Sequence, residues 1–234
     1  MILPGAEEAL AALEATWPAA EMRHEGPVRL RRGIGGGKRV SAASVIAPFV
    51  EPDIARAEAA MASMGQPPLF MVRPHETALD DLLAGRGYDV IDPVTLCARP
   101  ARPGPLPPEA EGWSDGLGAL WATGGIGPER RAVMDRAPGP KAVLLLPGPD
   151  APEAAVFVAR SGHGAMLHAL HVAPGLRHRG LGRTLTEGAV HWTAANGASW
   201  IALAVTDANA PARALYASLG FEPVGRYWYR ASRG

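Results

Sequence analysis

The sequence predicts an α/β (α+β) protein built as two tandem copies of one strand-and-helix unit. Three observations carry that expectation. Strand-length apolar runs alternate with helical patterns along the chain. Shifted by 133 residues, 201–224 (IALAVTDANAPARALYASLGFEPV) lie over 68–91 (PLFMVRPHETALDDLLAGRGYDVI) without a gap, strand over strand and helix over helix. Between the copies, residues 100–108 hold five prolines in nine positions, a density that suits an extended spacer and no helix or central strand.

In order, residues 6–16 form a helical pattern stopped at Trp17-Pro18, and Val28 to Arg32 alternates as a strand. Residues 33–39, GIGGGKR, are a glycine-rich turn with two adjacent cations. The turn lacks the first glycine and the closing hydroxyl residue of a phosphate loop, so it reads as a hairpin or bulge with solvated charges. Val40 to Ile46 is apolar enough for a strand, and Asp53 can cap a helix to about Met64, with Gly65 as its stop. A strand at Leu69–Val72, a helix at Thr77–Ala84, a strand from Tyr88 through Ile91 and another at Val94–Ala98 complete the first copy. The second opens with helical patterns at 115–122 and 128–136, separated by GGIG. Strands follow at 142–146, 154–160 and 166–172, then a helix whose stripe is Leu181, Leu185, Ala189 and Trp192. A strand at 200–205, a helix at 209–218 and an aromatic-rich extended run from Phe221 to Tyr229 close the chain. The expected boundaries are 1–99 for the first domain, 100–112 for the Pro-rich linker and 113–234 for the second.

Composition excludes several classes. With 234 residues, 47% of them hydrophobic and 20% charged, the chain is an ordinary globular one. Its 23 basic and 23 acidic residues cancel, which argues against nucleic-acid binding. The single cysteine, Cys97, allows no internal disulfide and no cysteine-based zinc site, and suits a cytoplasmic location. The first residues lack the basic start of a signal peptide, and no apolar run is long enough for a membrane span.

The stretch His168 to Thr186, HALHVAPGLRHRGLGRTLT, carries the chemistry. A buried strand leads into a turn at Pro174-Gly175, then R-x-x-G-x-G at Arg177 to Gly182, then a helix. The first amides of a helix have no internal partner and sit at its positive dipole end. Glycines let an anion approach the bare backbone, and Arg177, His178, Arg179 and Arg183 add cationic side chains. The expectation is a diphosphate-bearing ligand. A dinucleotide fold would need G-x-G-x-x-G and an acidic residue about twenty positions on; the glycines here are Gly180 and Gly182 only, and position 202 is alanine.

L-x-V-x-P at Leu170 to Pro174, R-x-x-G-x-G at Arg177 to Gly182 and N-x-x-A-x-x-L-Y-x-x-x-G-F at Asn209 to Phe221 together resemble the GNAT superfamily of N-acyltransferases, over roughly residues 113–230. The whole chain resembles tandem-domain members in which the N-terminal copy has lost its coenzyme motif. The resemblance implies that each copy is a mixed, mostly antiparallel sheet flanked by helices, and that the sheet splays near its middle. The acyl thioester would lie in that opening, with the acceptor entering from the other side. Acetyl-CoA would be the co-substrate, with no metal. By the same resemblance the amides of Arg179, Gly180, Leu181, Gly182, Arg183 and Thr184 hold the coenzyme A pyrophosphate. The backbone of Leu170, His171 and Val172 pairs with the pantetheine arm, and Asn209 caps its helix and touches the coenzyme. Tyr216 would protonate the departing thiolate.

The general base stays open at this level. Relatives use a glutamate on the strand before the glycine turn, and none lies between Ala154 and Arg177. His168 and His171 lie there instead, on opposite faces by strand alternation. Asp207, at the end of the following strand, is a further candidate. The resulting expectation is an acetyl-CoA-dependent N-acetyltransferase that acts directly on a small-molecule amine, an amino acid or a peptide, as a monomer or homodimer. A non-catalytic acyl-CoA sensor of the same fold and an enzyme for another acyl group are the alternatives.

Overall fold

The computed structural model describes residues 3–232. The first half contains α1 (Ala6–Thr16), β1 (Glu21–Glu25), β2 (Val28–Arg32), β3 (Ser44–Val45), α2 (Glu51–Ser63), β4 (Leu69–Val72), α3 (Thr77–Gly85) and β5 (Tyr88–Pro100). The second contains α4 (Asp115–Ala122), α5 (Pro128–Arg136), β6 (Lys141–Leu146), β7 (Ala154–Ser161), β8 (Gly164–Val172), α6 (Leu181–Ala195), β9 (Trp200–Thr206), α7 (Ala210–Ser218) and β10 (Glu222–Ser232).

Two expectations change, and one strand is new. The strand expected over 40–46 shrinks to β3, because Lys38–Val40 closes a 3-10 turn ahead of it. The two strands expected between Tyr88 and Ala98 are one. Asp92, at φ +44, and Pro93 form a bulge opposite Trp228, where the proline owes no ladder hydrogen bond. β1 was illegible because EMRHE is polar on both faces, and four of its five residues are exposed.

Seven strands form one sheet in the order β4-β10-β5-β9-β8-β7-β6, and β1-β2-β3 form a second, smaller one. All pairings in the large sheet are antiparallel except β8 with β9. The middle of the sheet interleaves the two halves. β10, the last strand of the chain, lies between β4 and β5, and β5 in turn pairs with β9. The pairing register obeys the sequence shift of 133. Trp228↔Val72, Tyr229↔Met71, Arg230↔Phe70 and Ala231↔Leu69 on one side correspond to Thr95↔Val205, Leu96↔Ala204, Cys97↔Leu203 and Ala98↔Ala202 on the other. Each half therefore fills a gap in its own strand order with the closing strand of the other.

Helices cover both faces. Leu185, Ala189, Val190 and Trp192 of α6 pack with Val156, Ile201 and Leu203 of the sheet. On the opposite face, Leu10 and Leu13 of α1 pack against Leu96, Met166 and Tyr227, while Leu120 and Trp121 of α4 and Met134 of α5 pack against Ala155 and Phe157. The Pro-rich segment after β5 is extended, as its composition dictates, yet it is strapped along α6. The His191 ring donates to the Pro105 carbonyl at 2.8 Å and the Trp192 indole to Glu109 at 3.0 Å. A Cβ at Gly188 would lie 2.2 Å from Pro107, so only glycine admits the strap there.

Because the halves exchange strands, calorimetry should show one unfolding transition for the whole chain, and Leu96→Ala in β5 should lower it, at a cost of about 2–5 kcal/mol. Two separable transitions, or an effect of Leu96→Ala confined to one of them, would contradict the shared core.

Candidate functional site

The site begins with a break in the sheet. β8 and β9 pair in parallel only from Gly164↔Trp200 to Leu167↔Leu203. Beyond Leu167 that edge of β8 has no ladder partner among the described residues. The cause is a bulge. Between the pairs Phe157↔His168 and Ala155↔His171, β7 advances two residues and β8 three. The extra residue is Ala169, in the left-handed region at φ +53. Its carbonyl is held by the Trp121 indole of α4 at 2.9 Å.

The bulge overturns the alternation expected for the two histidines. They oppose Phe157 and Ala155, which share one face of β7, so His168 and His171 lie on the same face. Their environments differ. His168 is buried, stacked against Trp17 with ring centroids 4.9 Å apart. The Thr16 hydroxyl already donates to the Ala12 carbonyl, so Nε2 of His168 donates to it at 2.9 Å. Nδ1 then accepts from Arg39 at 3.2 Å. Both ring nitrogens are committed, and burial, followed by the Arg39 charge, holds the imidazole pKa well below its ordinary value. His171 is bound on one side only. The Thr123 hydroxyl donates to the Leu120 carbonyl at 2.7 Å and accepts from Nε2 at 2.8 Å, leaving Nδ1 a lone pair with no partner among the described residues. Burial, then Arg177, lowers its pKa as well. Gly124 makes room for this ring: a Cβ there would lie 2.4 Å from Nδ1.

Two cavities meet on β8. One, of 560 Å³, is lined by Leu170, His171, Val172, Arg177, His178, Gly180, Leu181, Gly182, Arg183 and Asn209, together with Leu176, Pro211, Ala212 and Leu215. This gathers most of the residues that the sequence marked for the coenzyme; Arg179 and Thr184 stand outside the lining. α6 starts here from Gly180 at φ +83, a left-handed position where a side chain would be strained. A Cβ at Gly182 would sit 3.5–3.9 Å from Leu215, Val172 and Leu170, all of which line the cavity. The wall is bare backbone where an anion must approach it, which fits a pyrophosphate. Asn209 caps α7, accepting from the Ala212 amide at 3.2 Å, and also lines the cavity. The matching helix start in the first half is closed. Asp53 turns back to accept from the Val50 amide at 2.8 Å, and Glu51 adds a second carboxylate, so α2 repels an anion.

The other cavity, of 330 Å³, lies on the opposite side of the opening. Leu170 and His171 line both cavities. Tyr216 of α7 reaches the second from below; it is buried, packed edge-on to Phe221 at 5.7 Å, and its pKa is pushed up by burial, then by the neighbouring Cys97, so the phenol keeps its proton. The Cys97 thiol is pushed up by burial in its turn. Asp207 lines neither cavity. It accepts from Thr95 at 2.7 Å and pairs with Arg226 at 2.5 Å, and these bonds, the first foremost, lower its pKa. It ties β5, β9 and β10 together, away from the opening.

The second cavity holds residues that sequence reasoning missed. Trp17, Gly36, Gly37, Lys38 and Arg39 of the first half line it. The GIGGGKR segment is not a solvated hairpin. Gly35 and Gly36 pack on Glu129 and Val133 of α5, and a Cβ at Gly36 would lie 2.6 Å from Val133. The paired cations after the glycines were the legible signal; nothing in the sequence marked Trp121 or Thr123.

The sheet parts beside a glycine-opened helix start, and a cavity lies between them. Residues 143–221 match the acetyltransferase (GNAT) family. The mycothiol acetyltransferase of Beutenbergia cavernae is 47% identical over 58 residues, 25% of this chain and 20% of that protein, so the chain spans about a fifth of the length of this curated relative. Among solved structures, a GCN5-related N-acetyltransferase from Kribbella flavida superposes with a TM-score of 0.72 at 18% identity, covering 98% of this chain and 96% of the other. A conserved protein of unknown function from Staphylococcus epidermidis superposes at 0.67 with 8% identity, over 92% and 94%. At these identities the structural likeness speaks for the fold.

His168 makes stability depend on pH. Its folded pKa lies below the unfolded one, so the unfolded chain binds the extra proton as the pH falls below about 6.5, and stability is lost from there downward, by at most about 1.4 kcal/mol per pH unit for this one group. Urea melts from pH 7.5 to 5 should show this slope, flattened in His168→Gln; an unchanged slope would remove His168 as the cause.

Proposed function

We propose that the chain is an acetyl-CoA-dependent N-acetyltransferase acting directly on an amine in the reducing cytoplasm, the acyl group passing from thioester to nitrogen with no covalent enzyme intermediate. The observation that carries this reading is the meeting of two cavities at Leu170 and His171, one with a bare helix start and the other with a buried tyrosine and a half-free histidine. The open amides of Leu181, Gly182 and Arg183 would hold the pyrophosphate, and the unpaired edge of β8 past Leu167 would take the pantetheine arm. Bound acetyl-CoA supplies an activated acyl carbon, and the new C–N bond replaces its C–S bond. His171 Nδ1 takes the proton that the amine gives up. Its bond to Thr123 fixes the tautomer, and its lowered pKa keeps it neutral near pH 7. Tyr216 gives its proton to the departing sulfur, and the two groups reset by exchange through solvent. His168, with both nitrogens engaged, positions Arg39 and Trp17 instead.

Calorimetry with acetyl-CoA and CoA, followed by a thiol-release screen over amines, tests the reading. Absence of micromolar binding of either would refute it; binding without turnover of any amine would point to a sensor. Tyr216→Phe and His171→Ala should each lower kcat by about 10²-fold and leave CoA affinity within a factor of about two. An equal loss of affinity would assign them structural roles. The limb of the wild-type kcat/KM profile that belongs to His171 should lie below the ordinary imidazole value, and His171→Ala should lack that limb.

A further inference from the structure

The smaller cavity carries guanidinium charge that no carboxylate among the described residues pairs. Three other guanidinium groups that are buried or part-buried face carboxylates: Arg31 faces Glu14, Arg99 faces Glu187 and Arg230 faces Asp80. Arg39 does not. Its Nη1 is spent on a neutral imidazole nitrogen, its plane lies over the Trp17 ring at 5.8 Å, and its Nε is buried with no hydrogen-bond partner. Arg130, exposed and lining the same cavity beside Gly37, has no side-chain ion pair or hydrogen bond among the described residues. Lys38 is matched by Asp92 at 2.7 Å. Tyr227, 1% exposed, lines this cavity beside Tyr229, with which it shares a side-chain hydrogen bond.

We infer that the acceptor amine carries an oxyanion group, which docks between Arg39 and Arg130 while its nitrogen faces His171. This rests on the acetyltransfer reading and narrows its acceptor. The physical case is one of desolvation. A guanidinium taken out of water needs acceptors for its fork of donors, and an oxyanion is their natural complement. Lys38, Arg39 and Arg130 against the lone carboxylate of Asp92 leave the cavity positive, with His168 and His171 neutral. A plain ammonium ion entering it is repelled, whereas a zwitterionic amine brings the missing charge. The glycine-rich segment is built for this placement. Gly35 and Gly37, at φ +76 and +99, adopt conformations that side chains resist, and Gly36 packs flat on α5, so the segment delivers Arg39 to the cavity mouth. The first half of the chain, without an open helix start of its own, thereby supplies the recognition end of the site.

The experiment measures thiol release at saturating acetyl-CoA for matched acceptors: free α- and ω-amino acids, their amides, and an amine bearing a phosphomonoester. Anionic members should exceed their amides in kcat/KM at least tenfold, and the carboxylate and phosphate arms identify which oxyanion is read. Arg130→Met, an exposed substitution that touches no packing, should raise KM for the anionic acceptor several-fold with kcat unchanged. Arg39→Met should erase the preference for anionic acceptors while acetyl-CoA affinity holds. Equal or better turnover of the amides, or an intact preference in both variants, overturns the inference and leaves the acetyltransfer reading standing. If no amine is turned over, that reading fails separately, and calorimetry of the CoA-saturated protein decides this one: binding of the free amino acid or phosphate-bearing amine that both variants weaken supports it, and no binding at millimolar concentration overturns it.

Discussion

The hydrogen bond from the Trp121 indole to the Ala169 carbonyl holds the feature on which the site depends. It secures a bulge that costs backbone strain at a non-glycine residue in the left-handed region. That single extra residue does three things together. It ends the parallel pairing of β8 with β9, it opens the sheet between two cavities, and it rotates His171 onto the face where α4 waits with Thr123 and Gly124. Without the bulge, the strand would carry its two histidines on opposite faces and close the gap through which acyl transfer would have to pass.

The exchange of β5 and β10 is the second organising constraint. Paired strands share their hydrogen bonds, so each half's sheet is satisfied only by the other's last strand. The same exchange brings the first half to the smaller cavity, where α1 supplies the Thr16 contact to His168 and the loop before β3 supplies Arg39. The first half, whose matching helix start is closed, contributes part of the wall of the smaller cavity. The two helix starts illustrate the divergence: α6 begins in bare glycine backbone, whereas α2 begins under its own carboxylates. One feature invites an anion and the other excludes it, on backbones that the repeat places in register.

Local signals in the sequence were strong where the chemistry is local. The helix starting at Leu181, the glycine turn before it, the capping by Asn209 and the 133-residue repeat all follow from neighbours along the chain, because caps, turns and amphipathic stripes are short-range properties. These determined the fold class and most of the residues that line the larger cavity, and the motif spacing pointed to the family. What the sequence could not decide depended on contacts between distant segments. Whether His168 or His171 keeps a free nitrogen rests on Thr16 and Thr123, far from them in sequence; Asp207 is withdrawn from the opening by Thr95 and Arg226. A bulge slips the face of every residue beyond it, and an unpaired arginine is recognisable only once the protein's carboxylates have been placed. Those outcomes were settled by tertiary packing, because register and charge pairing are properties of what comes together in space.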